Sequence, residues 1–168
     1  LVSDDGGADT SAEVDGEPRG LGNRAESLAD RFEQELIALG GQMVRCTTNE
    51  LPLKVLHELV QRSIQDVMAW DNAHLPDGLR TAMVQAGWHI LDTPSPCCQA
   101  GLTGALAGAA ETGTLALPGG AGRMLSASLL CEVHLAILKE EAIYPTLADV
   151  LVLPALHEQS AAALVTGP

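Results

Sequence analysis

Residues 101–123 read GLTGALAGAAETGTLALPGGAGR, and this stretch limits the possible folds more than any other. It holds one carboxylate, Glu111, and one cation, Arg123, among Gly, Ala, Leu and Thr. Apolar runs with glycine on both sides mark buried strands that meet tight turns. Glu111-Thr112-Gly113-Thr114 reads as such a turn, and Leu115-Ala116-Leu117 as the buried strand it feeds. Residues 118–123 then read as a mobile loop with a cation at its far end. Only 2% of the chain is aromatic, so Leu, Ala, Val and Ile must build the core around these strands.

The flanking sequence alternates between helical and extended patterns. Ser27 with Asp30 three residues on has the form of a capping box, and Leu28, Phe32, Leu36 and Leu39 share a helical face ended by Gly40-Gly41. Residues 43–47 read as a first strand. Thr48 or Asn49 would cap a second helix with Pro52 in its first turn and Leu53, Leu56, Val60 and Ile64 buried. Residues 67–70 and 88–91 are short apolar strands on either side of a helix opened by Pro76-Asp77-Gly78, with Leu79, Ala82, Met83 and Ala86 inward. Residues 133–139 form another strand. Thr146 caps a helix with Asp149 in the capping-box position, residues 155–163 can form one more helix, and Leu164-Val165 starts a last strand. Strands alternating with helices over short connections predict an α/β fold, an open and mostly parallel sheet flanked by helices.

Residues 1–24 stand apart as an acidic, Gly-rich lead that cannot bury enough apolar surface to offset its ordering entropy, so a flexible lead precedes a single domain over residues 25–168. The formal net charge of −13 disfavours nucleic acid and anionic membrane as partners. No apolar run reaches the length of a membrane-spanning helix. Cys46, Cys97, Cys98 and Cys131 fit no disulfide framework, which favours a reducing, cytoplasmic setting.

Three sets of residues could carry chemistry. Ligands in open α/β sheets bind beyond the carboxyl ends of strands, where glycine lets backbone amides approach an anion and threonine adds donors. Thr103, Gly104, Thr112, Gly113 and Thr114 are candidates of this kind. Glu111 is the candidate acid, base or nucleophile, or else it accepts amide hydrogen bonds and holds its turn. Gly122 and Arg123 could close on a carboxylate or phosphate. The loop matches neither the G-x-G-x-x-G fingerprint nor a Walker loop. The cysteine spacing does not suit an iron–sulfur cluster, no flavin motif is visible, and the five histidines form no zinc-type pair. His134, on a predicted strand beside the central stretch, is the one histidine worth watching.

The run Ala110-Glu111-Thr112-Gly113-Thr114, the glycine-rich gap, Arg123, Leu129-Leu130, the strand at His134 and the helix start Pro145-Thr146-Leu147-Ala148-Asp149 resemble the lactate-utilization (LUD) domain family, formerly DUF162. The branch most like it is lactate-utilization protein C, and the resemblance runs from about Leu28 to the end. Cys131 departs from it, standing where the family has proline. Family members also continue past the Thr-Gly-Pro at which this chain stops, so the resemblance implies a piece of a longer protein whose C-terminal motifs are absent here. It implies a NagB/RpiA/CoA-transferase-like, Rossmann-like fold and an accessory role in oxidising L-lactate to pyruvate. Iron–sulfur partner subunits would carry the redox chemistry, and this chain would bind a partner or small anionic ligand near Glu111 and Arg123. The alternatives are an acyl-transferring or CoA-, nucleotide- or sugar-phosphate-binding enzyme of the same fold, and a scaffold without a catalytic site.

Overall fold

A computed structural model describes residues 27–166 except Cys97. The acidic lead predicted over residues 1–24 lies outside the described residues. In chain order the elements are α1 (Leu28–Ala38), α2 (Leu51–Gln61), β1 (Asp66–Ala69), α3 (Leu79–Gln85), β2 (His89–Leu91), β3 (Ala100–Gly104), β4 (Ala107–Ala109), β5 (Thr114–Gly119), α4 (Ser126–Leu129), β6 (Val133–Ile137), β7 (Ile143–Tyr144), α5 (Leu147–Leu151), α6 (Pro154–His157) and β8 (Ala161–Thr166).

Sequence dictates the first sheet directly. Val67, Met68 and Ala69 of β1 and Ala100 and Leu102 of β3 are fully buried, the continuous apolar pattern of strands covered on both faces. These strands lie at the centre of a parallel sheet of order β2-β1-β3-β6. Helices α2 and α3 pack on it through Val55, Leu59, Leu79 and Met83. Helix α4 lies against β3 itself: a Cβ on Gly101 would stand 1.6 Å from the Ala127 carbonyl oxygen. Only a residue without a side chain permits that approach.

A second sheet, of order β7-β4-β5-β8, grows out of the central stretch. β4 and β5 form an antiparallel hairpin, β7 runs parallel to β4, and β8 runs antiparallel to β5. Leu117 of β5 joins the core of the first sheet, while Ala107, Ala109 and Ala116 pack with Val150 and Leu156 in a core of their own.

The mixed α/β architecture with a parallel sheet flanked by helices is the predicted class, but several local expectations are corrected. Residues 43–47 are not a strand. Among the described residues they pair with no strand, and Arg45 instead pairs with Asp30 at 2.8 Å and Glu33 at 2.7 Å on α1. Helix α1 buries Ala29 and Phe32, while Leu28 and Leu39 are exposed. Helix α2 buries Val55 and Leu59, and the predicted inward residues Leu53 and Val60 face water. Its apolar residues occupy more than one stripe, so pattern alone does not choose the buried one. Glu50, rather than Thr48 or Asn49, occupies its N-cap. Ala86 of the α3 end is exposed. Residues 155–163 do not form one helix: α6 stops at His157 and the alanines of β8 pair with β5 from Gly119↔Ala161 to Thr114↔Thr166. The open edge of β5 outweighs alanine's helix propensity. Pro118 and Gly119, expected in a loop, are the buried end of β5.

Candidate functional site

The Glu111 turn closes the β4–β5 hairpin. The Ala110 amide donates to the Tyr144 carbonyl at 2.8 Å and the Glu111 amide to Pro145 at 3.1 Å, which seats the turn beside the start of α5. Gly113 has φ +61°, and a Cβ there would meet the Leu36 backbone nitrogen at 2.8 Å, so both conformation and space demand glycine. Glu111 Oε1 accepts the Leu147 amide at 2.7 Å. Leu147 is the first residue of α5, and Thr146 and Asp149 complete the reciprocal capping box. The Glu111 carboxylate thus sits at a helix N-terminus, where unpaired amides favour negative charge. Of the two roles open to it from sequence, this contact is the structural one. Beside it, Thr112 Oγ1, Thr114 Oγ1 and Thr166 Oγ1 form a hydroxyl chain with two steps of 2.7 Å.

Gly122 and Arg123 lie elsewhere. In the parallel sheet the order reverses between β1 and β3, and the carboxyl ends of these strands form the crevice where open α/β sheets bind ligands. Residues 120–124 lie over it. The Asp71 amide donates to the Gly122 carbonyl at 2.9 Å, Trp70 Nε1 donates to Met124 O at 3.0 Å, and His74 Nε2 lies 3.1 Å from Ala121 O. A Cβ on Gly122 would stand 2.6 Å from Asp71 Oδ2. Gly104, at the end of β3, packs beside the His74 carbonyl and the Trp70 ring. Arg123 donates from Nη2 to Gln159 Oε1 at 2.6 Å, while its Nε is buried without a hydrogen-bond partner. Arg80 ties the same edge together: it donates to the Ala69 and Trp70 carbonyls at 3.1 and 2.8 Å and to Asp92 at 2.6 Å. Asp71, His74, Arg80 and Asp92 are absent from the sequence-based candidates. Their signal was position, since Asp71 and Asp92 follow directly on the apolar strand ends.

The predicted residues therefore form two groups, not one. Glu111, Thr112, Gly113 and Thr114 gather where β5 begins, and Gly122 and Arg123 follow its end. Six extended residues separate these groups by roughly 17 Å.

Thr103 is fully buried, and its hydroxyl lies 2.9 Å from His134 Nε2. Burial pushes the largely buried His134 imidazole down to about 4. Its folded pKa is below the unfolded one, so between about pH 6.5 and 4 the unfolded chain binds a proton that the folded chain does not. Stability should fall as pH drops through that window, by up to about 3 kcal/mol. His134→Gln, which keeps a group able to bond Thr103, should flatten that limb in urea titrations at pH 7, 5.5 and 4. An unchanged acid limb would show that another group controls it.

Among the described residues, no three His, Cys, Asp or Glu side chains gather to hold a metal ion. No described helix is long and apolar enough to cross a membrane. A surface depression of about 390 Å³ is lined by Glu50, Leu53, Lys54 and His57 along α2 and shares no residue with either group. The strand-end geometry of the parallel sheet is the better guide to a ligand. The sequence also gave no sign that Cys98 and Cys131 meet, yet their sulfurs are 2.7 Å apart.

The LUD domain model matches residues 29–168. The chain belongs to the LUD domain family. The crystal structure of a DUF162 family protein from Deinococcus radiodurans superposes on this LUD domain with a TM-score of 0.67. The superposition covers 83% of this chain and 87% of that one at 20% identity, a likeness of fold. No curated protein matches the chain.

Proposed function

We propose that this LUD domain is an accessory component of an L-lactate utilization system, in which iron–sulfur partner subunits carry the electrons. In this reading the domain binds a small carboxylate at the crevice edge between β1 and β3, in the cytoplasm. Family membership supports the pathway. The observation that carries the binding role is Arg123, in the loop over the sheet's reversal point, whose buried Nε has no hydrogen-bond partner while its Nη2 is held by Gln159. A guanidinium takes a carboxylate through paired, charge-assisted hydrogen bonds, and L-lactate and pyruvate are both carboxylates. Glu111 in this account holds α5 and takes no part in chemistry.

Cells lacking the gene should lose L-lactate oxidation and regain it when the gene is restored. Undiminished oxidation in the deletion strain would remove the lactate reading.

A further inference from the structure

We propose that Cys98 and Cys131 are a redox-active dithiol that closes to a disulfide and staples β3 to β6. The two residues stand at matching positions. Ala100 pairs with Val133 in the parallel ladder, and each cysteine precedes its strand by the same interval. The Val133 amide donates to Gln99 O at 3.1 Å, which extends the pairing back towards them. Residues in register on neighbouring strands lie about 4.8 Å apart, inside the roughly 4.4–6.8 Å Cα range that a disulfide spans.

The thiols are already aligned. Cys131 Sγ donates to Cys98 Sγ at 2.7 Å, and Cys98 Sγ donates to the Ala100 carbonyl at 2.9 Å. Bonding requires the sulfurs to close by about 0.6 Å. Both are free thiols here. Cys98 is buried and Cys131 half-buried, so Cys131 is the sulfur a reagent meets first. Burial, then the Cys98 contact, pushes the Cys131 thiol up to about 12. At neutral pH it is therefore protonated, which makes closure slow.

The co-reactant is a low-molecular-weight disulfide. Cys131 Sγ gives up its proton and attacks one sulfur of that disulfide, whose S–S bond breaks and releases one small thiolate. Cys98 Sγ then gives up its proton, attacks Cys131 Sγ and expels the second small thiolate. The two protons end on the two small thiols. The protein is oxidised by two electrons and the small disulfide is reduced by two.

The full chain, folded at neutral pH, is incubated with oxidised glutathione, alkylated and mapped by peptide mass. The expected result is a peptide pair joining Cys98 to Cys131, with thermal unfolding raised by about 5 °C or more and returned by dithiothreitol. Cys131→Ser and Cys98→Ser should each abolish the linked pair. The proposal is overturned if both thiols remain alkylatable, if Cys131 stops at a mixed disulfide with glutathione, or if the bond forms with Cys97 or Cys46. It is equally overturned if the link forms only in urea. The wild-type map decides these outcomes even if a serine variant fails to fold.

Discussion

Gly101→Ala should cost about 3 kcal/mol or more of folding stability, because overpacking against backbone leaves little room to relax. The new Cβ would stand 1.6 Å from the Ala127 carbonyl oxygen and 2.5 Å from its carbonyl carbon. A flexible side chain could swing aside, but a backbone carbonyl cannot. Relief requires α4 to lift off β3. That shift would disturb Ala127, which is fully buried, and Ser126, whose hydroxyl meets the Met68 sulfur. Urea unfolding monitored by circular dichroism should show a midpoint far below wild type, or no folded baseline. A change within about 0.5 kcal/mol, the range of an ordinary surface substitution, would mean that α4 does not rest on this strand.

Trp70→Ala should destabilise the chain by about 3–5 kcal/mol, the usual range for removing a large aromatic from a core. Trp70 is 2% exposed and follows directly on Val67, Met68 and Ala69, the fully buried residues of β1. Its loss should also release the loop, since the indole donates to Met124 O and the neighbouring Asp71 amide donates to Gly122 O. Trp70→Phe separates the two effects. It keeps most of the apolar contact, forfeits the indole hydrogen bond, and should cost about 1–2 kcal/mol. Hydrogen exchange at the Asp71 amide should quicken in the phenylalanine variant while the helix amides of α2 stay protected. Equal protection of Asp71 in wild type and variant would show that the indole does not hold the loop.

Local signals were readable in the chain, and long-range ones were not. Both capping boxes, Ser27 with Asp30 and Thr146 with Asp149, join residues three apart, so the pattern and the bond coincide. Strand β1 was visible because burial on both faces forces a continuous apolar run, whereas β3, with two glycines and a threonine, was not read as a strand of its own. In the second sheet only β5 carried such a run, at Leu115-Ala116-Leu117. β4 is Ala-Gly-Ala, β7 is two residues long, and β8 opens on three alanines. Such segments become strands through the edges they meet. The same limit applied to the site. Glu111-Thr112-Gly113-Thr114 was legible as a turn, but the partner of the Glu111 carboxylate is 36 residues away. Arg123 was visible as a cation after glycines. The place of its loop over the end of β1 follows from contacts that Ala121, Gly122 and Met124 make to His74, Asp71 and Trp70, which no spacing rule supplies.

Rescue of L-lactate oxidation in cells lacking the gene, compared across wild type, Arg123→Ala and Glu111→Gln at matched protein levels, tests the account most directly. The account predicts that Glu111→Gln restores oxidation, because an amide oxygen still accepts the Leu147 N–H, while Arg123→Ala does not. Rescue by Arg123→Ala together with failure of Glu111→Gln would contradict it and return the site to the hairpin turn.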